Sequence, residues 1–364
     1  MLQRARRALL SRVADSDWQG QAALGWVGRL LARRQAGQLF DLCAGFTYSQ
    51  TLAACETLNV FEQLREGPLP LDRLALDCGC PPDRLRALLD AAVALRLLDG
   101  SSAAYEIGML GAALLGNPGV RAMVRHHHYL YADLLAPDAL VRDPTFRGEL
   151  QRYWAYADGA ADQPAAVADY SRLMADSQSF IATQVLHVLD LGGYRQLVDL
   201  GGGHGVFAAS ALAANPQLAA TVFDLPAVVA DAAATPWSAT PRLSYLGGDL
   251  FSGPLPQADV FTLVRILHDH NDDAVLTVLK RVRQALSGGG DLLIIEPLAG
   301  AGARRSSVAY FGLYFLAMGQ GRLRTRDELI ALLRAAGFDQ FQSVATPVPQ
   351  LAEVLKAHVP ATGG

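Results

Sequence analysis

The sequence predicts a two-domain α/β protein, with a Rossmann-like sheet domain behind a helical, winged-helix-like segment. Three observations carry this. The chain has 364 residues, about half of them hydrophobic, enough for two cores. Up to about residue 165 the apolar pattern is mostly helical; beyond it, strand-length apolar runs alternate with helical ones, as in a parallel sheet with helices on both faces. A glycine-rich turn, Gly201–Gly205, follows the first of those runs and opens a helix. The expected domains are 1–165 and 166–364.

The first 40 residues carry seven Arg against Asp15 and Asp17, a local charge of +5. They lack the apolar core and cleavage site of a signal peptide. A solvated helix and a loose contact with an anionic membrane surface are both open readings. Phe40–Leu64 is apolar with small residues, suited to close helix packing. Leu71–Leu98 reads as helix, turn, helix, with Asp83 behind Pro82 near the second start, and Asp99–Ile107 as a hairpin or wing. Asp158–Pro164 has the composition of a surface linker. Strands are expected at 196–200, 220–223, 243–246, 259–266 and 292–295. Helices are expected at 206–214, 272–286 and 327–336, the last closed by Gly337.

Net charge is −4, which argues against a nucleic-acid partner. The winged-helix-like unit still raises a DNA-binding regulator as an alternative. Its second helix mixes Arg84, Arg86 and Arg96 with Asp83, Asp90 and Asp99, so no phosphate-binding stripe emerges. Cys78 and Cys80 have no second pair or histidine at zinc spacing and read as reduced thiols, like Cys43 and Cys55. His126, His127 and His128 are adjacent on a helix, so their side chains diverge and make a poor metal site. No metal is expected. Val308–Met318, the most apolar stretch, is shorter than the ~20 residues of a spanning helix. It suits a buried helix, a dimer face or the wall of an apolar pocket.

Ligands of open α/β sheets bind beyond the C-terminal strand ends. Those ends are Asp199–Gly205, Asp224, Asp249, His268 and Glu296. Glycines 201, 203 and 205 let the backbone turn tightly and a ligand approach closely. Val206 stands where a dinucleotide fingerprint would have its third glycine. Asp224 suits two ribose hydroxyls. Asp249 suits an adenine amino group or, alternatively, a turn or helix cap. These features point to a nucleoside cofactor. Transfer of a methyl group from a sulfonium to a hydroxyl needs that hydroxyl deprotonated. His268 is placed to take the proton, and Glu296 to fix the ring's tautomer and stabilise the imidazolium. His268 as a helix-cap residue and His270 as a surface one are the competing readings.

DLGGGHG (199–205), FDLP (223–226), GGDLF (247–251), LHDHND (267–272), IIEP (294–297) and RTRDEL with AAGF (324–338) together resemble the plant-type, caffeate- and hydroxyindole-like O-methyltransferase family over about residues 40–345. The resemblance implies a class I methyltransferase domain using S-adenosylmethionine, with S-adenosylhomocysteine as product. It also implies a homodimer made through the N-terminal helices, and a winged-helix segment that helps enclose the substrate. It makes Gly201, Asp224, Asp249 and Arg265 cofactor contacts and His268 the base. Asp199, Gly203, Leu225 and Leu250 lie in the same motifs and join the cofactor-side candidates.

Two departures matter. Members acting on phenols usually have HDW where this chain has His268-Asp269-His270. They also have an acidic residue where this chain has Leu323. With the apolar 310–318 segment, these changes favour an apolar acceptor. FDLCAGFTYSQTL (40–52), GVRAMVRHHHYLYADL (119–134), PDALVRD (137–143) and LHDH are similar to the carotenoid O-methyltransferases of purple photosynthetic bacteria. That likeness implies a tertiary C-1 hydroxyl of an acyclic carotenoid such as hydroxyneurosporene or demethylspheroidene. It also implies a cytoplasmic site with peripheral contact to the inner or intracytoplasmic membrane. A bacteriochlorophyll precursor or a polyketide phenol is the alternative acceptor.

Overall fold

The computed structural model describes residues 2–22, 24–154, 164–300, 305–349 and 352–360. Contacts divide the chain into two compact units, Met1–Leu115 and Gly116–Gly364. The composition-based boundary at 165 had placed the helices of 118–153 with the first unit. They pack instead within the second, where Leu130, Leu140, Leu150 and Trp154 share an apolar cluster with Tyr314, Phe315 and Met318. Most of the expected linker, 158–163, lies outside the described residues.

In the first unit the helices Leu2–Val13, Ser16–Ala22 and Trp26–Thr57 precede a winged-helix-like module. The module has helices Leu71–Cys78 and Pro82–Ala94 and a hairpin of β1 (Leu98–Ser101) and β2 (Ala104–Ile107). Gly79 (φ 64°) closes the first of those helices in the left-handed conformation that favours glycine. The core is Leu74, Leu85, Leu89, Leu98 and Tyr105, whose hydroxyl donates to Asp90 at 2.7 Å. Asp90 is thus committed to the fold. Cys78 Sγ lies 3.5 Å from the Leu58 carbonyl, a packed thiol.

The second unit is built on a seven-stranded sheet. Its strands are β3 (Gln196–Leu200), β4 (Ala219–Asp224), β5 (Leu243–Gly247), β6 (Val260–Val264), β7 (Gly290–Glu296), β8 (Gln340–Val344) and β9 (Glu353–Val359), in the order β5-β4-β3-β6-β7-β9-β8. The first five are parallel, as expected from the alternation. β9 runs antiparallel to β7 and β8 antiparallel to β9, so the sheet is mixed. β6 is buried at all five positions, as a central parallel strand covered on both faces must be. The helix Asp272–Ala285 opens on Asp272 and Asp273, favourable at the positive end of its dipole, and buries Val275, Val278, Leu279 and Val282 on one stripe. Arg326–Ala335 starts with a capping box in which Thr325 and Glu328 satisfy each other's backbone N–H. No helix among the described residues is long and apolar enough to cross a membrane.

Candidate active site

The C-terminal ends of β3 to β7 bring the expected loops to one edge of the sheet. There they surround a cavity of about 350 Å³. Gly201, Gly203, Asp224, Leu225, Asp249, Leu250 and Arg265 all line it. The turn after β3 is possible only with glycine at its narrowest point. Gly201 has φ 68°, and a Cβ there would meet Ile266 Cδ1 at 2.6 Å. Gly203 (φ 57°) has open space beside it, and its N–H donates to Asp224 Oδ2 at 2.8 Å. Asp224 Oδ1 accepts from Leu225 N at 2.7 Å. A carboxylate has about four lone-pair sites, so Asp224 keeps capacity for two hydroxyls. Burial raises its pKa, partly offset by these backbone donors.

Asp249 accepts from Phe251 N and Ser252 Oγ, both at 2.9 Å, so the turn role is real, beside whatever its remaining lone pairs hold. Asp199 does not line the cavity. It sits 1% exposed beneath the glycine turn, where Oδ1 accepts from Thr262 and Oδ2 has no partner; burial pushes its pKa up to about 7. Arg265 holds a left-handed backbone (φ 59°), a conformation that costs a non-glycine residue ~1 kcal/mol or more. Its N–H donates to Ile295 O, and Nη1 donates to Ser177 Oγ at 2.8 Å. Backbone amides at a glycine turn, a carboxylate on the next strand and a guanidinium opposite are a donor and acceptor set that fits a nucleoside with an amino-acid tail.

Behind this cavity lies the histidine. His268 is 6% exposed; its Nδ1 is bound to Glu296 Oε2. Glu296 Oε1 accepts from Leu267 N at 2.6 Å, so one carboxylate fixes both the ring and its backbone. His268 Nε2 stands 3.2 Å from Asp269 Oδ1. Asp269, not His268, reaches the cavity wall. Burial alone would lower the His268 pKa, but the charges of Glu296 and Asp269 outweigh it and the pKa is raised. Burial lifts Asp269 to about 6. Nδ1 needs its proton for Glu296. The contact with Asp269 therefore implies a second shared proton, and its loss frees Nε2 as a base.

Several residues of the site escaped the sequence reading. His270 was open as a surface residue, but it lines the cavity, its ring edge-on to Phe251 at 5.1 Å, and burial lowers its pKa to about 4. His204, inside the glycine turn, lines the cavity and binds Asp231 at 2.6 Å. Ser171, Met174 and Gln178 bring one face of the helix Pro164–Leu186 to the wall at spacings of three and four, a signal the sequence did contain. The histidine run is structural in form. His126 Nε2 pairs with Tyr314 OH at 2.9 Å and His127 Nε2 with Tyr310 OH at 2.8 Å; Trp154 donates to Tyr314. These pairs hold the apolar helix Arg305–Met318 so that Phe311 and Phe315 lie 6.4 and 5.5 Å from the His268 ring.

Comparison with known proteins gives a consistent result. Residues 142–339 match an O-methyltransferase domain and residues 40–117 an O-methyltransferase dimerisation domain. The demethylspheroidene O-methyltransferase of Cereibacter sphaeroides is 40% identical over 341 residues, covering 90% of this chain and 88% of that protein. The acetylserotonin O-methyltransferase of Mus musculus is 34% identical, covering 86% and 87%. The crystal structure of human N-acetylserotonin methyltransferase in complex with S-adenosylmethionine superposes with a TM-score of 0.77 at 26% identity, covering 89% of this chain and 97% of that one.

Proposed function

Because the chain belongs to the family of S-adenosylmethionine-dependent O-methyltransferases that carry a dimerisation domain, we propose that its acceptor is the tertiary C-1 hydroxyl of an acyclic carotenoid of the hydroxyneurosporene or demethylspheroidene type. The observation that carries this reading is the wall of Phe311 and Phe315 beside His268, on an apolar helix followed by Leu323 rather than a carboxylate. Such a surface binds a hydrocarbon end and offers nothing to a catechol's second hydroxyl. The names of the relatives from Cereibacter sphaeroides and Rhodobacter capsulatus, 40% and 39% identical, support the same class.

S-adenosylmethionine, when bound, supplies an electrophilic methyl group on a sulfonium centre. Gly201 and Gly203 give it backbone room, Asp224 holds the ribose hydroxyls, Asp249 and Leu250 edge the adenine, and Arg265 holds the amino-acid end. Asp199 supports the turn from below, and Leu225 closes the side. His268 takes the acceptor's proton at Nε2. An alkyl hydroxyl is too weak an acid to ionise beforehand, so the proton moves as the new O–C bond forms. Glu296 keeps Nδ1 protonated and stabilises the imidazolium. Much of the rate comes from orientation by the apolar wall. The enzyme acts as a homodimer through residues 40–117, on the cytoplasmic side and peripheral to the inner or intracytoplasmic membrane in which such an acceptor dissolves. Incubating the purified chain with methyl-labelled cofactor and either hydroxyneurosporene or a phenol tests the reading. Label in the carotenoid is expected; label only in the phenol would overturn it.

A further inference from the structure

We infer that the first 34 residues form an arm that docks on an anionic lipid bilayer. The inference deepens the membrane-facing role above by naming the surface that meets the lipid. Two properties coincide here. The first 40 residues carry +5 and the rest of the chain −9, so the arm opposes the sign of the remainder. Arg4, Arg6, Arg7 and Arg12 lie within one 12-residue helix, Leu2–Val13; Arg29, Arg33 and Arg34 follow on the helix that starts at Trp26. Of the two acids, Asp15 is committed to the turn, where its Oδ1 accepts from Trp18 N at 2.8 Å.

Large apolar side chains stand exposed among these charges. Leu9 is 56% exposed, Leu10 52%, Leu24 77% and Trp26 78%, with Trp18 and Leu30 also at the surface. In Leu2–Val13 the residues Leu9, Leu10 and Val13 share a face at spacings of three and four, and Arg4, Arg7 and Arg12 flank it. Arginine flanking leucine, with tryptophan beyond, suits the headgroup region, where the apolar face sinks a few ångströms and guanidinium groups meet lipid phosphate. The match to a dimerisation domain starts only at residue 40, so these residues precede the part of the chain whose apolar surface a second copy would cover. Charge complementarity selects the occupant: the remainder of a second copy is acidic overall but presents no apolar layer for Trp18, Leu24 and Trp26, whereas an anionic bilayer offers both.

The test is co-sedimentation of the full chain with sucrose-loaded vesicles of phosphatidylcholine alone and of phosphatidylcholine with about one-third phosphatidylglycerol, at ~0.1 M and ~1 M NaCl. Each arginine near such a surface is worth roughly fivefold in partitioning, and four together, discounted for screening, ~50-fold. The chain should pellet with the anionic vesicles at low salt and leave them at high salt. R4Q/R6Q/R7Q/R12Q should weaken binding ~50-fold and L9S/L10S ~10-fold. These side chains are exposed, so S-adenosylhomocysteine affinity by calorimetry should not change. Equal pelleting with both lipids, or none with either, overturns the inference. So does loss of vesicle binding that tracks loss of the dimer in light scattering, which would make the arm a contact between copies. No acceptor is present in this assay, so its failure leaves the carotenoid reading standing, and failure to methylate a carotenoid leaves the arm standing.

Discussion

Glu296→Gln isolates the proton chemistry from the fold. The wild-type carboxylate accepts two hydrogen bonds, from Leu267 N at 2.6 Å and from His268 Nδ1. A glutamine has one acceptor oxygen and one donor group in the same space. If its oxygen keeps Leu267 N–H, its amide faces Nδ1 and drives the ring to the Nε2–H tautomer, which cannot act as a base. If it keeps the ring, the buried Leu267 N–H is orphaned. Either way the imidazolium loses its counter-charge. A hydrogen bond to a charged group is worth ~1.5–3 kcal/mol, or ~10- to 150-fold in rate at 1.4 kcal/mol per decade. We expect kcat to fall ~100-fold, with S-adenosylhomocysteine affinity within about twofold. The pH profile should move too. Glu296 contributes to raising the His268 pKa, so the variant's rate should rise with pH at a lower midpoint than the wild type, whose midpoint lies above the ordinary histidine value of 6.5. Initial rates at saturating cofactor across pH, with calorimetry on the same samples, measure both. A kcat within about threefold of wild type and an unmoved midpoint would refute the reasoning.

Asp224→Asn should weaken S-adenosylhomocysteine binding ~10- to 100-fold, because hydrogen bonds of ribose to a charged acceptor are the strong ones; calorimetry reads this, and an unchanged affinity would remove Asp224 from the cofactor site. Gly201→Val should lower stability by more than ~2 kcal/mol, because a positive φ and the 2.6 Å approach to Ile266 leave no room for a branched side chain; a melting temperature equal to wild type would contradict it. Tyr314→Phe strands Trp154 Nε1 and His126 Nε2, and should cost ~1–3 kcal/mol in a denaturant titration. Burial holds His126 and His127 near pKa 4. The stability they contribute is complete above the unfolded value of 6.5 and is lost as pH falls through about 4, so His127→Gln should flatten the acid limb of melting temperature against pH.

Much of this architecture is legible in the residues. Gln196–Leu200 and Val206–Ala214 are found as read, because an apolar run bounded by a glycine turn leaves few alternatives. β8 and β9 were not foreseen: Gln340–Val344 is mostly exposed, and polar residues interrupt the period-two signal. The strand-end rule located the cofactor loops and the His268–Glu296 pair, since topology alone puts those ends together. It could not tell that Asp269 would stand between His268 and the cavity. That depends on the tight turn of Leu267–Asp269, whose carbonyls are pinned by Arg322 N and by the 2% exposed Arg324 more than fifty residues later. The role of His126 and His127 was hidden for the same reason, their partners Tyr314 and Tyr310 lying far along the chain.

The most direct test is methyl transfer by His268→Ala at saturating S-adenosylmethionine, with cofactor affinity measured on the same preparation. A positioned general base is worth ~10²–10⁴-fold. The account predicts a rate loss in that range with affinity within about twofold of wild type. A rate near wild type, or a loss matched step for step by lost cofactor binding, would contradict it.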